Sequence, residues 1–477
     1  MGDGLSVVLD LGKTLSKLSL WDASGAMLAR RTRPNAQINA VIGGESIRVL
    51  DSAGIEAWAA EVLRKFAGLG RVARIIPVGH GAAAAIVRDG ALAAPSLDYE
   101  QPIPAEQIAA YHGQRDPFAR TGSPALPDGL NLGLQLHFLE TFDRELLTGD
   151  ATILPWPQYW AWRFSGVTAS EVTSLGCHSD LWCPASGNPS ALAERRGWAA
   201  RLAPLRHAGE AIGTINAEWA ERTGLPADVA VHCGLHDSNA ALLAARGFAD
   251  IAEHEATVLS TGTWFVAMRT PGKAARIDLA GLPETRDCLV NVDVHGTPIP
   301  SARFMGGREI ELLTGIDTRR VDINPDQPAI IAALPGVVAS GAMVLPTLTP
   351  GVGPFPGGAT RWINRPAESI ELRAAVCLYA ALVADEMLGL IGTRERVLVE
   401  GRFGEAQAFV RTLATLRPDL RVLVSNQQND VSYGALRLID PALAPPSELI
   451  QVQPLDRDLS AYAARWRALI TGSSEAA

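Results

Sequence analysis

Two stretches, DLGKTLSKLSL at residues 10–20 and LSTGTWFVAM at 259–268, share one pattern: a strand, a Gly/Thr turn and a returning strand. Each opens a long segment in which strands alternate with helical periodicity, the mark of an α/β chain. A pattern used twice in this way suggests one architectural unit repeated, and that constrains the fold more than any single motif.

The segments behind the hairpins support this. After VVLDLG (7–12) and LSLWD (18–22), a third strand is expected at MLARRT (27–32), beyond the Ala23-Ser24-Gly25 turn. Apolar residues at Ile55, Trp58, Val62 and Phe66 give helical spacing over 54–69, followed by a strand, ARIIPVG (73–79). Residues 100–225 read as mainly helical with Pro-rich joints, and the strand VAVHCG (229–234) runs into a helix beginning GLHDSNA. The second half offers a helix at 308–316, a Gly/Pro-rich loop at 346–362, a long apolar helix at 370–391 and the strand VLVEG (397–401). A helix at 405–416, a strand at 422–426, a turn-to-helix at 429–439 and a last helix near 459–470 complete it. A domain boundary is expected at the Arg246-Gly247 joint, giving domains 1–246 and 247–477.

At 477 residues two domains are the default, and 47% apolar content supplies their cores. A net charge of −9 argues against a nucleic-acid or anionic-membrane surface, though not against ATP, which needs only a few local donors. Cys177, Cys183, Cys233, Cys288 and Cys377 are scattered without a CxxC pair, so neither a disulfide framework nor a zinc site is implied. The start MGDGLSVVLDLG lacks the basic and apolar regions of a secretory signal, and no stretch is long and charge-free enough to span a bilayer. The formal match of MGDGLS to a myristoylation signal enters a strand too soon to leave a free tail. A cytoplasmic protein is expected.

A Gly-containing β-turn flanked by hydroxyls aims N–H groups at one spot, and phosphate is the usual tenant of such a nest. In the first turn Gly12, flanked by Thr14 and Ser16, fits that pattern. Lys13 lies in the turn and Lys17 on the return strand, and the only other lysines are Lys65 and Lys273. An ordinary Gly hairpin is the plainer alternative. No GxxxxGKT element is present, so a P-loop is excluded. Asp10 precedes the turn; a carboxylate beside phosphate calls for a bridging Mg²⁺, unless Asp10 only caps the turn. Thr261, Gly262 and Thr263 repeat the theme. Asp237 starts a helix, where its ionised form is favoured; it is a cap, a proton acceptor, or both.

The motifs DLGKTLSK, GLHDSNA, STGTW and VEGRFGEAQAFVRTLA, in that order along most of the chain, resemble the FGGY carbohydrate kinases. The HDS and STGTW elements are most similar to the rhamnulokinase and fuculokinase branch. The resemblance implies an α/β fold of two actin-like (ribonuclease H-like) domains with a catalytic cleft between them, closing by a hinge. It implies nucleotide contacts at Gly12, Lys13, Thr14, Lys17, Thr261, Gly262 and Thr263, Mg²⁺ support at Asp10, and a catalytic base at Asp237. It also places His80 on a sugar-pocket loop, with Asp98, Tyr99 and Glu100 on a following sugar-contact segment; His236 is either a sugar contact or a structural histidine. The adenine-side glycine run of the family reads Gly401-Arg402-Phe403-Gly404 here. Arg402 is a candidate for phosphate, and Phe403 for adenine stacking or core packing. The segment SLDYE lacks the family's common Arg.

The expected activity is transfer of the γ-phosphate of MgATP to a hydroxyl of a small ketose or deoxyketose, with fuculose or rhamnulose first. Competing readings are a non-catalytic sugar or nucleotide sensor and an actin- or chaperone-like ATPase. The expected partner is a small sugar, with a homodimer the one oligomer considered.

Overall fold

The opening hairpin forms where its alternation places it. In the computed structural model, which describes residues 4–272, 277–318, 320–425 and 431–474, β1 (Leu5–Leu11) pairs antiparallel with β2 (Leu15–Trp21), and Asp10 stands opposite Lys17. β2 continues antiparallel to β3 (Met27–Pro34). On its other side β1 lies parallel to the Val72–Gly79 strand, which is parallel in turn to Ala230–His232. Val7, Val8, Leu9 and Leu11 are fully buried, as a central strand covered on both faces requires.

The crossover from β3 to the Val72–Gly79 strand is carried by the Ser52–Ala67 helix. Asp51 caps it by accepting from the Gly54 N–H at 2.9 Å, and Arg64 and Lys65 sit in its last turn, where the helix dipole favours cations. Its buried face, Ile55, Ala59, Val62, Leu63 and Phe66, follows helical spacing. Burying each large side chain there contributes about 1.5–3 kcal/mol.

The hairpin Ala256–Thr261/Phe265–Thr270 repeats this plan. Its second strand pairs antiparallel with Pro298–Phe304, its first lies parallel to Arg396–Gly401, and that strand is parallel to Arg421–Ser425. The order 298–304, 265–270, 256–261, 396–401, 421–425 therefore matches β3, β2, β1, 72–79, 230–232 strand for strand and in every direction. The crossover here includes the Ser369–Leu390 helix, buried along most of its length. The repeat suspected from two hairpins is a repeat of sheet topology.

The chain divides into two units: Met1–Gly247 with Val290–Pro298 and Asp430–Ala444, and Phe248–Leu289 with Ile299–Asn429 and Pro445–Ala477. A single boundary at Arg246-Gly247 does not describe this division, because two short segments of the second half belong to the first unit. Segments with no assignment from sequence also prove ordered. Residues 37–50 form the hairpin Gln37–Ile42/Glu45–Leu50, and Gln327–Ser340 is a helix despite Pro335. Within 84–225, the expected helices are joined by a three-stranded sheet of Ala91–Ala94, Ala84–Arg88 and Thr152–Pro155. Runs of alanine there carry no clear period, so their pairing depends on partners distant in sequence. The residues 426–430 of two expected elements lie outside the described residues.

Candidate active site

In the first unit, three strand ends meet. Leu11 of β1 is beside Gly79, and Gly79 is beside His236 on the short Leu235–His236 strand. Asp10, His80, His236 and Asp237 thus lie at or just beyond the carboxyl ends of neighbouring parallel strands, where open α/β sheets bind ligands. The expected strand 229–234 is broken to achieve this. Gly234 adopts φ +79°, and a Cβ there would stand 2.2 Å from the Pro77 carbonyl oxygen. Only glycine allows the chain to step sideways and re-pair at Leu235–His236.

His80 is buried, and among the described residues neither ring nitrogen has a hydrogen-bond partner. Burial drives its pKa down to about 4; the charges of Asp237 and Asp98 pull upward less strongly, while Lys13 and His236 push it down further. It is therefore neutral at physiological pH, with one N–H to donate and one lone pair to offer. Its ring meets Tyr99 edge-on at 5.8 Å and lies 6.5 Å from Trp156. His80, Asp98, Lys13, Asn35 and Trp156 line a pocket of about 330 Å³.

Lys13, expected at the nucleotide, turns its side chain toward the 98–100 segment. Its ammonium is ion-paired with Asp98, lies 3.7 Å from Glu100 and sits 4.7 Å from the Tyr99 ring centroid. Lys17 pairs with Asp10 at 2.8 Å, and that carboxylate is buried. The turn between the strands is held by Asn35, whose amide donates to the Gly12 carbonyl at 2.8 Å and whose N–H donates to the Thr14 carbonyl at 2.9 Å. The Gly12 N–H is engaged with the Leu15 carbonyl at 3.2 Å, while Thr14 is exposed.

Asp237 is the first residue of the Asp237–Ala245 helix, with a half-buried side chain. His236 Nε2 lies 3.2 Å from its Oδ1 and 3.4 Å from Cys177 Sγ, and Nδ1 lies 3.4 Å from the Asn239 amide. Burial lowers the His236 pKa, so the ring is a neutral neighbour of Asp237. The structure turns this histidine toward the carboxylate it precedes; it does not line the pocket of His80. Behind it, Thr173 Oγ1 accepts from the His236 N–H at 3.0 Å and donates to Glu171 at 2.5 Å. Glu171 also accepts from the Thr173 and Ser174 N–H groups, at 2.9 and 3.2 Å.

In the second unit, Thr261 does not present its hydroxyl to a ligand. Oγ1 donates to the Glu400 carbonyl at 2.6 Å and accepts from the Phe403 N–H at 3.1 Å, bracing the hairpin against the 401–404 turn. Gly401 is required there: φ is +85°, and a Cβ would stand 2.3 Å from the Thr261 carbonyl oxygen. Phe403 is buried on Phe265, centroids 5.2 Å apart, so its ring is core packing and not an exposed stacking platform. Gly404 is buried below it. Gly262 and Thr263 remain accessible at the turn, and the Gly306–Thr314 helix begins against them, its Arg308 N–H donating to the Thr263 carbonyl at 3.3 Å. An apolar pocket of about 500 Å³ opens beside that helix, lined by Ile310, Ile316, Ile330, Val376 and Phe403 among others.

Asn35, Trp156, Glu171, Thr173 and Asn239 were not assigned a role from sequence, and Cys177 was read there only as one of five scattered thiols. Most join the site through contacts 23 to 76 residues apart, and no local motif marks them. Among the described residues no group of three or more His, Cys, Asp or Glu side chains is placed to hold a metal, and no helix is long and apolar enough to cross a membrane.

Residues 253–446 match the family model described as carbohydrate kinase FGGY, C-terminal domain. A solved carbohydrate kinase from Novosphingobium aromaticivorans is 58% identical, with a TM-score of 0.92 over 99% of this chain and 100% of that one. Gluconate kinase from Lactobacillus acidophilus has the same fold at 13% identity, TM-score 0.78, covering 99% of this chain and 97% of its own. Plasmodium falciparum glycerol kinase, solved with ADP, matches at 11% identity and TM-score 0.79 over 99% of both chains. No curated protein matches the sequence. None of these similarities singles out the rhamnulokinase branch. The solved structures agree on the α/β fold, and the family model together with the 58% identical carbohydrate kinase shows the family: this chain belongs to the FGGY carbohydrate kinase family.

Proposed function

We propose that the enzyme transfers the γ-phosphate of MgATP to a hydroxyl of a small ketose or deoxyketose seated in the first-unit pocket. The observation that carries this is His80, buried with two unpartnered ring nitrogens beside the Asp98 carboxylate. Buried polar atoms are rarely left without partners, and a polyhydroxy ligand supplies both a donor and an acceptor. Phosphoryl transfer is chiefly alignment and charge stabilisation, with a base to accept the hydroxyl proton. Asp237 is assigned that role. Its Oδ1 is steadied by His236, whose Nε2–H tautomer donates to it while Nδ1 accepts from Asn239.

The exposed turn residues Gly262 and Thr263, with the helix start behind them, suit phosphate, and the apolar pocket beside them suits the nucleotide base. Mg²⁺ is held by water, phosphate oxygens and one or two carboxylates in such sites, which the single buried Asp10 fits. When bound, the ion neutralises phosphate charge. A deoxyketose is the first candidate because the HDS and STGTW motifs resemble the rhamnulokinase and fuculokinase branch. All five cysteines are unbridged, as a reducing cytoplasm favours.

The test is ADP release with MgATP and a panel of fuculose, rhamnulose, xylulose, gluconate, glycerol and xylose. Strictly acceptor-dependent release, fastest with a ketose, is expected. Acceptor-independent turnover indicates an ATPase, and binding without turnover indicates a sensor.

A further inference from the structure

Lys13 lies within the turn of the opening hairpin, yet its side chain leaves that turn for the 98–100 segment. It reaches Asp98 and Glu100 and covers the Tyr99 ring, and Tyr99 in turn abuts His80. Asp98 is held in place by its own backbone setting: its Oδ1 accepts from the Glu100 N–H at 2.9 Å. The second carboxylate, Glu100, accepts from Gln37 Nε2 at 3.1 Å and lies 3.9 Å from Arg48. Two cations, Lys13 and Arg48, thus face two anions, and Asp51 on the same pocket is paired with Arg33. The charges of this wall balance, so it offers no surplus positive charge to a carboxylated acceptor.

We propose that Lys13 belongs to the acceptor site, its ammonium and the Asp98 carboxylate together binding a vicinal diol of an uncharged sugar. The chemistry is complementary. A carboxylate accepts from one hydroxyl, while an ammonium with three N–H bonds donates to the oxygen of its neighbour. His80, with its unpartnered nitrogens, extends the same wall toward the remaining hydroxyls. Specificity follows from desolvation: the Lys13–Asp98 pair keeps its own contact, but an acceptor lacking one hydroxyl of the diol covers the pair without matching its remaining donor or acceptor position, which costs more than a missing apolar contact.

This inference rests on the kinase reading, and the experiment separates the two. ADP release is measured for the wild type, Lys13→Met, Lys13→Arg and Asp98→Asn, varying ATP and each acceptor of the panel in turn. The expected result is an uncharged acceptor as best substrate. Its KM should rise about ten-fold or more in Lys13→Met and Asp98→Asn, and be partly restored in Lys13→Arg, with the ATP KM within about two-fold of wild type. A raised ATP KM with an unchanged acceptor KM returns Lys13 to the nucleotide and overturns the proposal. Unchanged KM values in a variant that melts like wild type reduce Lys13 to a strut and do the same, as does gluconate as best acceptor. If the wild type releases no ADP with any acceptor, the kinase reading fails, and thermal shifts with the same sugars then decide. Stabilisation of wild type but not of Lys13→Met sustains the site, and no stabilisation of either overturns it.

Discussion

Glu171 offers a sharp test of how the support behind Asp237 is built. Its carboxyl is fully buried; Oε2 accepts three hydrogen bonds from Thr173 and Ser174, while Oε1 has no hydrogen-bond partner among the described residues. Burial raises its pKa from the ordinary 4.5 to about 7, the donors holding it back from rising further. The native state therefore binds a proton more tightly than the unfolded chain does. Below the unfolded pKa both states are protonated and nothing is lost. Between pH 4.5 and about 7 the unfolded chain ionises while the native one resists, so stability falls as pH rises. At 1.36 kcal/mol per pH unit the loss amounts to about 3 kcal/mol, complete above pH 7. Glu171→Gln keeps an acceptor oxygen for the same donors and cannot ionise; its amide NH₂ occupies the place of the unpartnered oxygen, as the acid proton does. The variant should match wild type near pH 4 and exceed it by about 3 kcal/mol at pH 8. Denaturant unfolding of both proteins at pH 4, 5, 6, 7 and 8 measures this, reading the transition that the substitution shifts. A difference independent of pH, or a Gln variant weaker at pH 8 than at pH 4, refutes the reasoning.

Other outcomes are expected. Asp237→Asn should lower kcat by roughly 10²–10⁴-fold while isothermal titration still detects acceptor binding; wild-type turnover would remove it from the base role. A Cβ at Gly262 would meet only the Trp264 carbonyl oxygen, at 3.8 Å, so Gly262→Val should fold and raise the ATP KM far more than the acceptor KM. An unchanged ATP KM would place phosphate elsewhere. Thr173→Val strands the buried His236 N–H, at a cost of about 1–3 kcal/mol, and should lower kcat with little change in either KM, while Thr173→Ser keeps the bridge; equal kcat in the two variants would mean the hydroxyl does not position Asp237.

Much of the architecture was legible because it is periodic. Alternation over 7–22 and 256–270, and helical spacing at Ile55, Val62 and Phe66, are local properties that survive without any partner. The two Gly/Thr hairpins marked a repeated plan, and the strand order of both sheets follows it. Where sequence was silent, as at 327–340, apolar residues surround the helix and leave no period to read.

The candidate site was legible only in part. Sequence alone determined that Asp10, Gly12, His80, Asp237 and Gly262 stand at strand ends or turns, since backbone pattern decides such positions. It did not determine where side chains reach. Lys13 and Asp98 are 85 residues apart, and Thr173 and His236 are 63 apart. Which of these meet depends on how loops and strands stack after the chain has folded. Tertiary structure alone carried the Lys13 side chain onto Asp98, withdrew Thr261 and Phe403 into the packing of the second unit, and turned His236 onto Asp237. The physical reason is the same in each case. A motif sets which functional groups a short segment carries, but a long side chain or a hydroxyl takes the partner that burial and charge place within about 3 Å, and that partner comes from elsewhere in the chain.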